Sequence, residues 1–483
     1  MARPNTDQGL RLLVCSRKHD IVNYLFNVFN DVNGDRQEAR CHSFKTLMKD
    51  RPITLNGNGF ELTWAENDEQ LKELIESNAA PFYAAILYDA ETVEKNGPKI
   101  IAGVRRRDFF VPQIIVEPVS SQRMEQATKA GKESINFAYT EDDIKHTYSN
   151  IFLRDADVPN LTVVKIGGSA FDFDDQVYDG KNIDTLCNIL WKIHQEEKDD
   201  KERSLNRMLL TVGAGQIGEK IKNHYKKFGN NPKVSKAFPE LMAKALQLNL
   251  EQLYAHFGEN EASLLSSGAF YFVGDKRTRN KIPLIGMAPH YILARDGIPL
   301  QDSDTHTIAL AEFYKAKKVV LVKRTDGIYD FDPYLGFALD QETGRCKSTE
   351  NWIDLQRRNK RLGVVDINDM LNGHISRTGT NFNIGKYDGS SGHLMEDSAL
   401  DYFRYCQHVE EILVVHIAPE EMYYGHNHER NKFWHVVTGE ILELGPGGWE
   451  DVLEQRLRAA FKGGAVSKIV KPKDLNPKYA KQP

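Results

Sequence analysis

Twice in this chain an apolar run passes directly into glycine and then into a helical pattern: "LTVVKIGGSA" (161–170) and "MLLTVGAGQIGEKI" (208–221). Runs of this kind, stopped by glycine, suit the strands of a parallel sheet whose connections are helical. A glycine turn at the carboxyl edge of such a sheet lets backbone N–H groups approach a phosphate, and the next helix N-terminus adds its partial positive charge. In the first run Lys165 precedes Gly167, Gly168 and Ser169, the reverse of a Walker loop, in which the lysine follows the glycines and stands before Ser or Thr. In the second, Gly213, Gly215 and Gly218 fit G-x-G-x-x-G. That turn is not in the opening βαβ unit, and no strand-end acid follows at the distance a dinucleotide site requires.

At 483 residues the chain exceeds one ordinary core, and we divide it into two domains, 1–155 and 156–483. The formal net charge of -5 gives no reason to expect a polyanion-binding surface, so nucleic acid is not an expected partner. No apolar run is long enough to span a bilayer and "MARPNTDQGL" has no apolar signal core, from which we expect a soluble, cytoplasmic protein without membrane partners. Cys15, Cys41, Cys187, Cys346 and Cys406 are scattered and show no CxxC spacing, as expected of reduced structural thiols.

The first domain alternates strand-like runs, "RLLVCS" (11–16), "FELTWA" (60–65), "YAAILYDA" (83–90) and "PQIIVEP" (112–118), with the helical stretches "HDIVNYLFNVFNDV" and "NDEQLKELIESN". The order and lengths are those of a flavodoxin-type parallel sheet. The domain resembles a response-regulator receiver, with Asp89 closing the third strand. Two features depart from that family: "SRKH" follows the first strand in place of an acidic pair, and "INFAYTEDD" lacks the lysine-proline of the last strand. We therefore expect a pseudo-receiver used for docking or dimerisation.

"RDADVPNLT" (154–162) bridges to the second domain, in which the pattern restarts with strand, glycine turn, helix (182–198) and strand. A third stretch, "DSDTHTIALAEFYKAKKVVLVKRTDGIYDFDP" (302–333), places Asp304 as an N-cap, continues through an amphipathic helix carrying Ile308, Leu310 and Phe313, and enters the strand "KKVVLVK". The loop after that strand is dense in polar and turn-forming groups suited to wrapping a nucleotide. Residues 380–400 read as a surface loop, and "GPGGWEDVLEQRLRAAFKGG" (445–464) as a glycine turn followed by a packing helix.

These three ordered motifs resemble the amino acid kinase family, which includes carbamate, acetylglutamate, aspartate and uridylate kinases; the molybdenum storage subunits are the closest look together with uridylate kinase. The resemblance implies an αβα sandwich that binds ATP with Mg²⁺. It implies that Lys165 reaches the transferring phosphoryl group, that Asp304 orients the lysines and that Lys323 holds the nucleotide. Gly167, Gly168, Gly213 and Gly215 would line the phosphates with Ser169 beside them, and Thr325, Asp326, Gly327, Tyr329, Asp332 and Pro333 would shape the nucleoside pocket. The activity implied is transfer of the γ-phosphoryl group to a small carboxylate or phosphate acceptor, in a homo-oligomer. The alternatives are ATP-dependent storage of molybdate or tungstate, and a nucleotide-sensing regulatory pseudokinase. Two positions depart from the family pattern: Ala214 adds a methyl where a phosphate would pass close, and Glu219 stands where uridylate kinases grip the acceptor phosphate with arginine. His426, His428 and His435 in "GHNHERNKFWH" are candidates for a metal or oxoanion, and His290 and His306 flank the expected acceptor cleft.

Overall fold

The computed structural model describes residues 10–32, 53–57, 60–76, 83–89, 91, 104, 113–116, 135–137, 161–171, 181–196, 208–229, 231–258, 260–264, 281–288, 303–323, 327–329, 361–372, 374–375, 381–382, 395, 397–417, 424–427, 432–435, 441–443, 448–464 and 467–471. Cys41 and Cys346 lie outside these residues, while Cys15, Cys187 and Cys406 are buried free thiols. No described helix is long and apolar enough to cross a membrane.

Residues 10–137 build the first sheet from β1 (Leu10–Cys15), β2 (Ile53–Gly57), β3 (Phe60–Ala65), β4 (Ala85–Tyr88), β5 (Gln113–Ile115) and β6 (Ile135–Phe137). The spatial order is β2-β3-β1-β4-β5-β6. All neighbours are parallel except β2, which pairs antiparallel with β3. Without β2 the order is that of flavodoxin-type sheets. β2 is not among the strands expected from sequence, although Asn58-Gly59 between two alternating runs is a strong hairpin signal. Helix α1 (His19–Val32) buries Val22, Leu25, Phe26 and Phe29 at helical spacing, and the last two pack on the Phe60 ring. Helix α2 (Asp68–Glu76) begins where Asn67 Oδ1 accepts from the amides of Glu69 and Gln70.

The second sheet draws on β7 (Thr162–Ile166), β8 (Met208–Val212), β9 (Ala262–Leu264), β10 (Ile282–Leu284) and β11 (Lys318–Lys323). A two-stranded ribbon of β12 (Ile328–Tyr329) and β13 (Arg361–Leu362) precedes β14 (Val364–Asp366). A second ribbon, β15 (His374–Ile375) with β16 (Asn381–Phe382), comes before β17 (Glu411–His416). A three-stranded meander of β18 (Tyr424–Asn427), β19 (Lys432–His435) and β20 (Ile441–Glu443) then leads towards β21 (Ser467–Val470). The eight-stranded order is β14-β21-β17-β11-β7-β8-β10-β9, parallel apart from the β17–β21 pair.

Helices α3 (Lys181–Glu196), α4 (Gly215–Phe228) and α5 (Pro232–Phe257) follow the first two strands of this sheet, and α6 (Ser303–Phe313) leads into β11. Helices α7 (Ile367–Asn372), α8 (Asp397–Tyr405) and α9 (Gly448–Phe461) complete the helical layers. α3 packs on α5 and α9, whereas α6 packs on α8, which in turn packs on α7, in an αβα sandwich. α9 is the packing helix expected of the C-terminal segment: Leu453, Leu457, Ala460 and Phe461 are buried. The reading of 380–400 as loop needs correction at its end, because 397–400 open α8 with Ala399 and Leu400 in the core.

The path of the chain fixes where a ligand can enter. From β7 the chain moves outward to β8 and on to β9 and β10, then returns to β11 on the opposite side of β7. Crossovers therefore diverge between β7 and β11, and at such a switch point the helices leave a crevice at the carboxyl ends of the strands.

Candidate functional site

Lys165 and Lys323 stand on the two strands that flank this switch point. Lys165 is the fourth residue of β7, beside Thr211 of β8 and Leu321 of β11. Lys323 ends β11. The chain enters α6 immediately over them, so the Asp304 carboxylate receives both: Lys165 Nζ donates to Oδ1 at 2.6 Å and Lys323 Nζ to Oδ2 at 3.1 Å. Lys165 Nζ also donates to Ser303 Oγ at 2.7 Å. Lys165 is only 3% exposed and Asp304 6%. Burial by itself would raise the Asp304 carboxyl, but the ammonium groups of Lys165 and Lys323 and the hydrogen bonds they donate hold it well below the usual carboxylate range. The Asp304 carboxylate thus holds two ammonium groups side by side in a low-dielectric place, an arrangement that an anion complements.

The glycine turns follow as backbone continuations of these strands. Gly167 N–H donates to Val322 O at 2.8 Å and Gly213 N–H to Ile166 O at 2.9 Å, extending the ladders one step past each strand. The two turns then touch: a Cβ added to Gly168 would lie 2.2 Å from Gly215 N, and one on Gly213 would lie 2.5 Å from Gly168 N. No side chain fits at either position. Gly215 opens α4 with φ +59, in the left-handed region that favours glycine. A Cβ on Gly167 would lie 3.8 Å from Lys323 Cγ, so that lysine passes across the first turn. Among the described residues no oxygen accepts from the N–H of Gly168, Ala214 or Gly215. The N-terminus of a 14-residue helix and these amides thus border the same crevice as the lysines.

Three expectations change in the folded protein. Asp304 is not an N-cap: it lies in the first turn of α6, and its carboxylate is held by lysines of two strands instead of by its own helix. α6 is not amphipathic either, since every residue from Asp304 to Ala311 is buried between β7, β11 and α8. The Ala214 methyl does not obstruct the turn: it points at Gly218, where an added Cβ would lie only 2.4 Å away. Ala214, which immediately precedes α4, and Gly218 of that helix therefore form a matched pair.

The structure brings Lys165, Asp304, Lys323, Gly167, Gly168, Gly213 and Gly215 together. Gly327 is buried just beyond β11, where Ile328 N–H donates to Ser467 Oγ at 3.0 Å. Ser169 lies in the short helical turn Gly168–Phe171 and Tyr329 in β12, and only their backbones are described. Thr325, Asp326, Asp332, Pro333, His290 and His428 lie outside the described residues. His426 pairs with Phe433 and His435 with Tyr424 in the meander. Among the described residues no group of three potential metal ligands occurs. His306 is buried in α6.

Four polar residues of this region carry no signal in the sequence. Ser303 supports Lys165, and Thr307 Oγ1 donates to Ser303 O at 2.9 Å while meeting Thr211 Oγ1 at 3.0 Å, which ties α6 to β8. The fourth, Asn249 of α5, donates to Gly213 O at 2.6 Å. The residues they join are 36 to 138 positions apart or lie within an apparently ordinary helix, so local pattern does not reveal their role.

The second sheet thus has a crevice with two lysines at the switch point of an αβα sandwich, edged by paired glycine turns. Residues 160–336 match the model of the amino acid kinase family. No curated protein sequence matches the chain. Among solved structures it is similar to uridylate kinase from Archaeoglobus fulgidus, with 13% identity, TM-score 0.36, and coverage of 64% of this chain and 99% of that one. Aspartate kinase from Synechocystis matches at 16% identity and TM-score 0.35 over 54% of this chain, which spans only 38% of that kinase. Carbamate kinase from Giardia lamblia, bound to AMP-PNP, matches at 11% identity and TM-score 0.33 over 65% of this chain and all (100%) of that one.

Proposed function

We propose that the second sheet binds Mg-ATP and transfers the γ-phosphoryl group to a small carboxylate or phosphate acceptor. The observation that carries this reading is the buried cluster of Asp304 between Lys165 and Lys323, two ammonium groups beside glycine turns that admit no side chain. Phosphoryl transfer requires positioning of the groups and stabilisation of charge on the transferring oxygens, and needs no protein nucleophile. Lysines and backbone amides are sufficient for both.

In this reading Asp304 holds the two ammonium groups at a fixed spacing. Lys165 faces the transferring group and Lys323 the nucleotide phosphates. Gly167, Gly168, Gly213 and Gly215 line the phosphates, while Thr325, Asp326, Gly327, Tyr329, Asp332 and Pro333 shape the nucleoside pocket. Because both Asp304 oxygens are engaged by lysines, magnesium would be held by phosphate oxygens and water and would neutralise charge there when bound. The buried walls of α6 and the sheet exclude water and strengthen each charge interaction.

Titration of the purified protein with Mg-ATP, beside Lys165→Ala, tests the reading, followed by measurement of ADP release across small carboxylate and phosphate acceptors. Lys165-dependent binding with acceptor-stimulated ADP release supports it. Binding without turnover, with molybdenum or tungsten co-purifying, would replace transfer by oxoanion storage. Absence of nucleotide binding would overturn it.

A further inference from the structure

We propose that Asn249 is a positioning residue for the second glycine turn, fixing the peptide that presents the Ala214 N–H to the phosphates; the proposal rests on the nucleotide reading above. Asn249 lies within the 26-residue helix α5 and is 3% exposed. Asparagine is a poor choice for a helix interior, because its amide competes for backbone groups, and burial adds a desolvation cost. Here the amide has a specific partner, since Nδ2 donates to the carbonyl of Gly213 at 2.6 Å.

Gly213 is thereby tied from two directions. Its N–H is held by Ile166 O of β7 and its C=O by Asn249 of α5. In a trans peptide the carbonyl and the following N–H point in opposite directions. A Gly213 carbonyl turned towards α5 therefore turns the Ala214 N–H away from α5. Since no oxygen among the described residues accepts from the Ala214 N–H, this orientation leaves that donor available to an anion. The turn cannot readjust by itself, because the Gly213 backbone is pressed against Gly168. Rotation of the 213–214 peptide would disturb the first turn as well, so one buried side chain steadies both.

Asn249→Leu keeps the side-chain volume and removes the donor; Asn249→Ser shortens the reach but introduces no bulk, and serves if the leucine variant does not fold. Binding of Mg-ATP, inorganic tripolyphosphate and adenosine to each folded variant is compared with the wild type. The expected result is an approximately tenfold weaker affinity for Mg-ATP and tripolyphosphate, the equivalent of one lost hydrogen bond, with adenosine affinity unchanged. A purely packing role would instead lower the melting temperature while leaving the ratio of Mg-ATP to adenosine affinity as in the wild type, and that result overturns the proposal. Failure of the wild type itself to bind Mg-ATP overturns the nucleotide reading and this role with it. Wild-type binding that persists undiminished in both variants overturns only the role of Asn249.

Discussion

The two sheets of this protein each have a switch point, and they equip it differently. In the first sheet the crossovers diverge between β1 and β4, whose carboxyl ends carry Ser16, Arg17 and Lys18 on one side and Asp89 on the other. Asp89 is 1% exposed, and Ser16 Oγ accepts from the Lys18 amide at 3.0 Å, which closes a local turn. In the second sheet the corresponding crevice, between β7 and β11, has a carboxylate clamped by two lysines and two glycine turns pressed backbone to backbone. Parallel topology supplies a crevice in both places. Among the described residues, only the second combines a carboxylate clamped by two lysines with paired glycine turns, which is why topology alone does not identify a site.

The largest effects should fall on the charge cluster. Lys165→Ala is expected to weaken Mg-ATP binding by about a hundredfold or more, as measured by calorimetry, because it removes the buried charge that the proposed function directs at the phosphates. Equal binding by the variant would erase the distinction between the two crevices. Asp304→Asn leaves two ammonium groups without their shared carboxylate and should destabilise the fold by about 3 kcal/mol in chemical denaturation. The pH dependence follows from the lowered pKa. A carboxyl held below its ordinary range stabilises the fold at pH values above the unfolded-state value of about 4, and that stability is lost as the pH falls further. The gap between wild type and Asp304→Asn should therefore be constant above about pH 5 and narrow in acid.

Gly213→Ala should come next. A methyl placed 2.5 Å from Gly168 N forces the turns apart, for an expected loss of about 2 kcal/mol together with weakened nucleotide binding. On the first sheet, incubation with acetyl phosphate and magnesium is expected to leave no hydroxylamine-sensitive phosphoryl group; labelling that disappears in Asp89→Asn would mean that the first crevice is also equipped for phosphate chemistry. The smallest effect belongs to an exposed ion pair. Lys192, which meets Glu454 at 2.9 Å where α3 passes α9, is 55% exposed, and Lys192→Ala should cost less than about 1 kcal/mol. A larger loss there would show that α9 is held to α3 by charge more than by its buried leucines.

Much of the site is legible in the sequence because its signals are local. Lys165 next to Gly167 and Gly168, the Gly213–Gly215 turn and the lysine ending "KKVVLVK" are punctuation within single strand-to-loop transitions. α1 forms over the same residues that its periodicity marks, and β3 likewise, because periodicity and burial agree there. What is not legible depends on distance. Ser303 meets Lys165 across 138 residues, Asn249 meets Gly213 across 36, and Thr307 meets Thr211 across 96. The sequence misleads about α6 because helical spacing reports only one apolar stripe, whereas this helix is enclosed between the sheet and α8. It misleads about the Ala214 methyl because the direction of that group depends on where α4 turns.

By itself the sequence determined the alternation of strands and helices, the two parallel sheets, the glycine turns and the lysines at their edges, since each follows from residue preferences over a few neighbouring positions. Tertiary structure alone decided that Asp304 joins Lys165 to Lys323, that Asn249 donates to Gly213 O and that, among the described residues, it is the second crevice whose buried carboxylate lies between two lysines. These contacts arise from the crossover path, which brings distant segments together, and the strength of each comes from a burial that local sequence does not encode.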